Sequence, residues 1–247
     1  MKPGRSRPAP LPPPRREWAY FFDIDGTLVD IADSPAFVRL DHDLRSLIEA
    51  LHRSSGGAVA LISGRSIADI DRLFPGAPLP AAGQHGIERR GADGVTGRHA
   101  FPVEQLEWMR EQLAAAAAGK AGLVVEDKGL SLALHYRRVP RLAGYAHRLT
   151  HSLLRHVGAQ YCIQTGKRVV EIKPTGKDKG VAVLEFMREA PFQGRIPVFV
   201  GDDATDEYGF ATVNRLRGYS IKVGRGPTVA RWRLPNVEAV RRWLRSI

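Results

Sequence analysis

The chain has 247 residues, of which 43% are hydrophobic and 26% are charged, as expected for a globular protein with a substantial buried core. Its formal net charge of +11 raises the question of nucleic-acid binding, but the arginines are scattered and no helix-turn-helix or aromatic-basic RNA motif accompanies them. We therefore expect no nucleic-acid partner and interpret the basic field as one that attracts an anionic substrate.

The lone cysteine, Cys162, excludes a disulfide framework and a thiolate metal site. No apolar stretch is long enough for a signal peptide or a membrane span, so we expect a cytoplasmic protein without a membrane partner. Residues 1–16 are rich in proline and arginine and are expected to form a disordered tail. The sequence predicts no particular oligomeric state.

Strand and helix patterns alternate after this tail. The predicted elements are a strand at Trp18–Phe22, a helix at Asp41–His52, a strand at Ala58–Ile62 and a short helix at Ser66–Phe74. Alternation of this kind is typical of a parallel sheet with helices on both faces.

The middle of the chain, residues 86–173, has a different pattern, in which one helix and one hairpin are followed by a second helix and a second hairpin. The predicted helices are Phe101–Ala118 and Arg141–His156. The predicted strands are Leu123–Glu126, Leu130–Arg137, Gln160–Thr165 and Arg168–Lys173. This pattern predicts a four-stranded antiparallel sheet with both helices on one face, inserted as a cap with its polar face toward the rest of the protein.

Alternation resumes after the cap. The predicted elements are a helix at Lys179–Glu189, a strand at Pro197–Val200, a helix at Asp206–Asn214, a strand at Tyr219–Val223 and a helix at Val237–Ser246. We therefore expect residues 17–85 and 174–247 to form one catalytic core domain of the α/β class. Its doubly wound, Rossmann-like parallel sheet would carry residues 86–173 as an inserted α+β cap domain.

The end of the first predicted strand is the strongest chemical signal in the chain. Two carboxylates, in Asp23-Ile24-Asp25, directly follow an apolar run. At a separation of 4 Å and an effective dielectric constant of about 20, two such charges repel each other by about 4 kcal/mol. A hard divalent cation such as Mg²⁺ would offset this repulsion, so the pattern predicts metal-assisted phosphate chemistry.

Polar residues also follow two other predicted strands. Ser63-Gly64-Arg65 ends the second strand, and Asp202-Asp203 ends the strand at Pro197–Val200. Ligands of open parallel sheets bind beyond the carboxyl ends of the strands. We therefore expect these three strand ends to form one site.

Four elements, in this order along the chain, resemble the signature of the haloacid-dehalogenase superfamily of phosphotransferases. They are Asp23-Ile24-Asp25-Gly26-Thr27, Ser63, Lys179 and Gly201-Asp202-Asp203-Ala204-Thr205-Asp206-Glu207. Within that superfamily, three stretches resemble the trehalose-phosphate phosphatase family, and the resemblance extends over residues 18–247. These stretches are Ala82-Gly83-Gln84-His85-Gly86-Ile87-Glu88, Val170-Glu171-Ile172-Lys173-Pro174 leading into Lys179-Gly180, and again Gly201 to Glu207.

The resemblance implies a role for each residue of the phosphate site. Asp23 would be the nucleophile that forms an aspartyl-phosphate, and Asp25 would protonate the leaving oxygen and deprotonate the attacking water. Mg²⁺ would be held by Asp23, the backbone carbonyl of Asp25 and Asp202. Ser63 and Lys179 would bind the phosphoryl oxygens.

Two assignments in this set have rivals. Lys173 and Lys177 are alternatives to Lys179, and the family pattern of a lysine directly before glycine at a helix start selects Lys179. Asp203 and Asp206 are expected to contact the metal or to orient its ligands. Asp206 could instead serve only as a first-turn carboxylate of its helix.

The resemblance also implies contacts to the substrate, from the core and from the polar face of the cap. The expected substrate-binding residues are Gly26, Arg65, His85, Glu126, Lys128 and Glu171. In the family, the three cap residues contact sugar hydroxyls, a task that suits carboxylates because each accepts several hydrogen bonds. His85 has an alternative as a turn residue with no role in binding.

The function implied is magnesium-dependent hydrolysis of trehalose 6-phosphate in trehalose biosynthesis. A phosphatase of another sugar phosphate, such as sucrose phosphate or a hexose phosphate, stays open because the core motifs handle only the phosphoryl group. A basic binding or regulatory protein on a retired phosphatase scaffold is a third possibility. It is disfavoured because Asp23, Asp25, Lys179 and Asp202 are all retained.

Overall fold

A computed structural model of the chain describes residues 10–31, 38, 40–76, 78–100, 103–166 and 168–247. Its larger sheet has eight strands, in the spatial order β12-β11-β10-β1-β2-β3-β4-β5. In chain order, these strands are β1 (Trp18–Phe22), β2 (Val59–Ile62), β3 (Ala81–Gly83), β4 (Glu88–Arg90), β5 (Thr96–Arg98), β10 (Ile196–Gly201), β11 (Tyr219–Val223) and β12 (Trp232–Leu234).

Helices cover both faces of this sheet. They are α1 (His42–Ser54), α2 (Ile67–Leu73), α5 (Lys179–Phe186), α6 (Asp206–Arg215) and α7 (Val237–Leu244). Helices α1, α2 and α7 contribute to one core cluster, and α5 and α6 contribute to the other. The predicted α/β core with a largely parallel sheet is confirmed, and only β4 and β5 run antiparallel to their neighbours.

Strand β1 is central because its side chains are buried on both faces of the sheet. Tyr20 and Phe22 enter one core cluster, whereas Ala19 and Phe21 enter the other. A strand surrounded by apolar groups on both sides is expected in the middle of a parallel sheet. It pairs in parallel with β10 on one side and with β2 on the other, so three carboxyl ends lie next to each other.

The smaller sheet is antiparallel and has the order β6-β7-β9-β8. Its strands are β6 (Val124–Asp127), β7 (Leu132–His135), β8 (Tyr161–Gly166) and β9 (Val169–Pro174). The helices α3 (Val103–Ala118) and α4 (Ala143–Val157) pack on one face of it around a core of their own. This arrangement agrees with the predicted cap, although Phe101 and Pro102 of the predicted first helix and Lys167 of the second turn lie outside the described residues.

The boundary of the cap differs from the predicted one at residue 86. Strands β4 and β5 pair with β3 and with each other, so they extend the large sheet rather than the small one. Their three-residue length and polar sequence gave no readable alternation. We therefore propose that the inserted cap begins after β5 and ends at β9.

Part of the N-terminal segment packs against the core. Trp243 donates a hydrogen bond from Nε1 to the carbonyl of Pro12 over 2.8 Å, and the Tyr20 hydroxyl donates to the carbonyl of Arg15 over 2.7 Å. Leu11 also packs against the core cluster. These contacts contradict the expected disorder for residues 10–16, while residues 1–9 lie outside the described part of the chain.

Candidate active site

The acidic strand ends predicted from the sequence lie together at one edge of the large sheet. Asp23 follows β1, Ser63 follows β2 and Asp202 follows β10, and all three side chains are buried. Parallel pairing of these strands brings their carboxyl ends to the same edge. The site is therefore built at the ends of the buried central strands of the large sheet.

Lys179 joins two of the aspartates. Its Nζ lies 2.8 Å from Asp23 Oδ1 and 2.6 Å from Asp206 Oδ1. The lysine is the first residue of α5, which is capped by the side chain of Asp178 accepting a hydrogen bond from the backbone of Val181. The position of Lys179, at a helix start facing the end of β1, agrees with the choice of this lysine over its rivals.

The other candidate lysines lie elsewhere. Lys173 is buried near the end of β9, where its Nζ donates to the carbonyl of Lys177 over 2.5 Å. The Lys177 ammonium forms an ion pair with Glu185 on α5. Among the described contacts, neither ammonium reaches the aspartates at the end of β1.

Burial and charge act against each other at this site. Burial raises the pKa of Asp23 well above its usual range, and the neighbouring charges of Asp206 and Asp202 add to this, although Lys179 opposes it. Burial acts to lower the pKa of Lys179, but the charges of Asp206 and Asp23 outweigh it and raise that pKa. The site therefore has an excess of negative charge that favours a cation.

The carboxylates of Asp23, Asp202 and Asp206 place ligand oxygens within 4.8 Å of one another. Gly26, with φ of +83°, makes this spacing possible, because a Cβ there would lie 2.3 Å from Asp202 Oδ2. Carboxylate and carbonyl oxygens are the ligands that Mg²⁺ prefers, so the donor set fits this ion.

Asp203, which was expected among the metal ligands, lies outside this group of carboxylates. Its side chain is half-buried, and its backbone N–H donates to Asp206 Oδ2 over 2.8 Å. Asp206 is completely buried. Lys179 holds one of its oxygens and the Asp203 backbone holds the other. A carboxylate that served only the first turn of its helix would be exposed to solvent and would not need these contacts.

Asp25 and Arg65 form a two-pronged ion pair. Arg65 Nε and Nη2 lie 2.6 Å from Asp25 Oδ2 and Oδ1, respectively. The backbone N–H of Arg65 donates to Ser63 Oγ over 3.2 Å, which shapes the turn after β2. Arg65 is predicted to contact the substrate, and here its guanidinium holds Asp25, the proposed proton-transfer group.

The cap meets the core through Lys128 and Glu171. Lys128 Nζ lies 3.2 Å from Glu171 Oε2 and donates to the carbonyl of Gly64 over 3.3 Å. The Ser131 hydroxyl donates to Glu171 Oε1 over 2.6 Å. Burial acts to raise the pKa of Glu171, but the charge of Lys128, the neighbouring His85 ring and the hydrogen bond from Ser131 outweigh it and hold that pKa below its usual range.

His85 approaches the cap from the core side. It lies in the turn after β3 with φ of +59°, and its Nε2 is 2.7 Å from Gln164 Nε2 and 3.6 Å from Glu171 Oε2. Burial lowers the pKa of His85 to about 4, so the ring is neutral at physiological pH. His85 therefore lies both in a turn and beside Glu171 of the cap, so its predicted role in substrate binding and its alternative as a turn residue both stay open.

Glu126 lies on the same face of the cap as Glu171 but farther along it. Cross-strand pairing puts Glu126, Ala133, Glu171 and Gln164 in one row across the sheet. The carboxylate of Glu126 lies 2.7 Å from His135 Nε2. The methyl group of Ala133 thus lies between the two glutamates. Two carboxylates spaced in this way can accept hydrogen bonds from several hydroxyls of one ligand.

Sequence reasoning missed four polar residues that shape the site: Gln84, Ser131, Gln164 and Lys222. Gln84 donates from Nε2 to the Lys128 carbonyl over 2.6 Å, and its own φ is +46°. Gln84 lies in the stretch from Ala82 to Glu88 that resembles the family, whereas no signal in a single sequence distinguishes Ser131 or Gln164 from ordinary polar residues. Lys222 has such a signal, because it is a charged residue near the end of a mostly apolar and buried strand.

Solved structures show which class this architecture defines. The C-terminal domain of Candida albicans trehalose-6-phosphate phosphatase has the same fold, with a TM-score of 0.83 and 22% identity over 93% of this chain and 91% of that one. A phosphatase of the HAD enzyme superfamily from Bacteroides thetaiotaomicron has a TM-score of 0.62 at 14% identity, over 94% and 95%. Both likenesses show the fold class of the chain, a largely parallel core sheet accompanied by a smaller antiparallel sheet, as in these phosphatases.

Within that class, the chain belongs to the trehalose-phosphatase family, whose sequence model matches residues 21–237. It is 45% identical to the trehalose-6-phosphate phosphatase of Escherichia coli (strain K12) over 235 residues, which are 94% of this chain and 86% of that protein. It is 42% identical to a probable trehalose-phosphate phosphatase of Sinorhizobium fredii over 228 residues, 91% and 85% of the two chains.

Within the described ranges, no helix combines the length and the apolar composition needed to cross a membrane.

Proposed function

We propose that this protein is a magnesium-dependent phosphatase that hydrolyses trehalose 6-phosphate to trehalose and inorganic phosphate through an aspartyl-phosphate. The observation that carries the proposal is the buried position of Asp23 beside Lys179 and close to Asp202 and Asp206. The names of the relatives, at 45% and 42% identity over most of their length, support the substrate. A cytoplasmic location fits the single free cysteine, Cys162.

In the proposed mechanism, Asp23 attacks the phosphorus while the bond between phosphorus and the sugar oxygen breaks. Asp25 gives its proton to that leaving oxygen, and the sugar departs as an alcohol. A water molecule then attacks the phosphorus of the aspartyl-phosphate and loses a proton to Asp25, which releases inorganic phosphate. Arg65 donates one hydrogen bond to each oxygen of Asp25, which leaves a second lone pair on each oxygen for the proton.

The residues around Asp23 fit a magnesium ion held by the side chains of Asp23 and Asp202 and by the backbone carbonyl of Asp25. When bound, the ion would neutralise negative charge on the phosphoryl group and on the attacking carboxylate. We assign Asp206 to orienting this group of ligands, because Lys179 and the Asp203 backbone already hold its oxygens.

The phosphoryl oxygens would be bound by groups of the core. Lys179 supplies a buried ammonium beside Asp23, and Ser63 supplies a buried hydroxyl at the end of the neighbouring strand. Gly26 lets the backbone of the turn after β1 come close to Asp202. These contacts stabilise charge on the transferring group rather than select the alcohol that leaves.

Selection of the sugar would fall to the cap. Glu126, Lys128 and Glu171 lie on the face of the small sheet whose contacts with the core pass through Gly64 and His85. Their carboxylates and ammonium can receive and donate hydrogen bonds to several hydroxyls at once. Ser131 and Gln164 extend this polar surface.

A substrate panel tests the proposed substrate. We expect kcat/KM for trehalose 6-phosphate to exceed that for glucose 6-phosphate and sucrose 6-phosphate by at least about 100-fold, the order expected when buried polar groups are left without partners. Equal efficiency on glucose 6-phosphate would reject the disaccharide assignment and favour a general sugar phosphatase.

Removal of metal tests the cofactor separately from the substrate. Dialysis against excess EDTA should abolish turnover of every substrate in the panel, and added Mg²⁺ should restore it. Full activity after verified metal removal would show that Lys179 and the protein dipoles suffice without an ion.

A further inference from the structure

Lys222 lies in β11 immediately beside the proposed metal site. Its register partner across the parallel pair is Gly201, the residue before Asp202. Ile221 and Val223, its neighbours in the strand, enter one core cluster, so Lys222 points to the opposite face of the sheet. Its side chain is only 4% exposed, and its ammonium donates a hydrogen bond to the backbone carbonyl of Asp202.

A lysine in this position is unusual on physical grounds. A buried ammonium is strongly disfavoured unless a partner or a surrounding field compensates for the lost hydration. Within the described part of the chain, Lys222 makes no ion pair with a carboxylate, whereas Lys179 makes two. The compensation that the structure shows is the hydrogen bond of Lys222 to the carbonyl of Asp202, whose side chain belongs to the group of Asp23, Asp202 and Asp206.

The carbonyl that Lys222 holds belongs to a residue whose side chain is constrained as well. On the side-chain face, Asp202 lies so close to Gly26 that a Cβ there would overlap with it. On the backbone face, Lys222 fixes the Asp202 carbonyl. The two constraints together determine where the Asp202 carboxylate points.

We propose that Lys222 is a positioning residue for the metal site, acting through Asp202. By holding the Asp202 carbonyl, it presents the Asp202 carboxylate to Asp23 before any ligand arrives, and its charge offsets the repulsion among the three carboxylates. This inference rests on the proposed function, because it requires that these carboxylates bind a divalent cation.

The test compares Mn²⁺ binding, followed by electron paramagnetic resonance, in the wild-type protein and in Lys222→Met. Methionine fills a similar volume without a charge or a donor, so we expect the variant to fold. Loss of a residue that orients a metal ligand weakens metal binding by 10- to 100-fold in typical cases, and we expect a loss in that range. Lys222→Arg, which keeps the charge and a donor, should recover most of the affinity.

Lys173→Met is the matched control. Lys173 is equally buried and also donates to a backbone carbonyl, that of Lys177, but it lies at the end of β9 rather than at the metal site. The Lys173→Met variant should have a changed thermal stability but the same Mn²⁺ affinity as the wild type. If Lys222→Met did not fold, Lys222→Gln would serve in its place, since its shorter amide also lacks the charge.

The outcomes separate the inference from the proposed function. Mn²⁺ affinity of Lys222→Met equal to or tighter than that of the wild type would overturn the inference and leave the metal site intact. Absence of Mn²⁺ binding in the wild type would overturn the metal proposal and this inference with it. Weaker binding in both Lys222→Met and Lys173→Met would show a general effect of losing a buried charge, which also overturns the inference.

Discussion

Charged side chains are held in place differently at the edge of the core sheet and on the polar face of the cap. At the core edge, Asp23, Asp202 and Lys179 follow or begin regular elements and are completely surrounded by protein. On the cap, Lys128 follows β6 and Glu171 lies on β9, and both depend on contacts with core loops at Gly64 and His85. The core site is thus preorganised by the fold, whereas the cap surface is completed only where two parts of the molecule meet.

This difference matches two tasks. Phosphoryl transfer needs the same charges in the same place for any substrate, so its groups belong on the most rigid elements. Recognition of a sugar requires many hydrogen bonds over a wide surface, and it can be changed without disturbing the chemistry. We therefore expect substitutions at the core edge to lower the rate for all substrates and those on the cap to change selectivity.

The largest expected effect on the core side is that of Asp23→Asn. The variant should lose at least about 10⁴-fold in kcat, as is usual when a nucleophile is removed. Its thermal stability should match or exceed that of the wild type, because burial disfavours the charged form of Asp23 and asparagine carries no charge. Steady-state kinetics and calorimetry measure the two quantities, and a variant with wild-type rates would refute the covalent mechanism.

Gly26→Ala tests how tightly the core edge is packed. The added Cβ would lie 2.3 Å from Asp202 Oδ2 at a backbone φ of +83°, so both overlap and strain oppose it. We expect a loss of about 3 kcal/mol of folding free energy. The displaced Asp202 should also lower kcat for every substrate.

Gly176→Ala is the control for backbone strain. Its φ of +82° is nearly the same, but no atom lies within 4 Å of a Cβ there. It should cost only about 1 kcal/mol, without a change in kcat. Equal effects of the two substitutions, measured by urea unfolding and kinetics, would mean that contact between Gly26 and Asp202 is unimportant.

Glu171→Gln is the corresponding test on the cap. Loss of the charge that pairs with Lys128 should lower kcat/KM for trehalose 6-phosphate by about 10- to 100-fold, equivalent to one buried hydrogen bond to a charged group. For p-nitrophenyl phosphate, which has no sugar, the change should be less than about 3-fold. A larger fall in kcat/KM for trehalose 6-phosphate than for p-nitrophenyl phosphate would mean that Glu171 acts in sugar selection and not in phosphoryl transfer.

Asp127→Asn provides the cap control. Asp127 lies next to Glu126 in β6 and therefore points to the other face of the sheet, where its carboxylate pairs with Arg110 over 2.6 Å. The Asp127→Asn substitution should leave kcat/KM unchanged for both trehalose 6-phosphate and p-nitrophenyl phosphate. If Glu171→Gln lowered the rate for both substrates equally, the division of tasks between cap and core would be wrong.

The same contrast explains what the sequence could predict. Residues at one strand end, such as Asp23 and Asp25, are close together both in the sequence and in the site. The core motifs can therefore be predicted from the sequence. The cap strands were also readable from their alternation, and their antiparallel pairing is as expected. Cross-strand partners such as Gln164 and contacts from the core such as Gln84 depend on register and docking, which no local pattern encodes.

The limits of the sequence also have physical causes. Strands β4 and β5 are too short and polar to show a period, so the sequence predicts a cap that begins before them, whereas we propose one that begins after β5. Arg65 is predicted from the resemblance to bind substrate, and its ion pair with Asp25 is a contact between distant parts of the chain that no local pattern encodes. Asp203 and Asp206 were not separable by sequence, since their difference arises from the turn that buries one and leaves the other partly exposed.

The smallest effect at neutral pH concerns the junction between cap and core, where His85 faces Glu171, Gln164 and the charge of Lys128. Burial lowers the pKa of His85 to about 4, so the folded protein resists protonation that the unfolded chain accepts near pH 6.5. Stability from this group is therefore complete above about pH 6.5 and falls as the pH drops toward 4, by on the order of 3 kcal/mol.

His85→Asn should remove this pH dependence, and asparagine tolerates the positive φ at this position better than most residues. Urea unfolding at intervals between pH 7 and pH 4 should show a shallower decline for His85→Asn than for the wild type, whereas His151→Asn, at an exposed site on α4, should leave the slope unchanged. Parallel slopes for wild type and His85→Asn would mean that the junction admits water and a proton without cost. In that case the cap would be loosely seated on the core, and the rigid edge of the large sheet alone would resist acid.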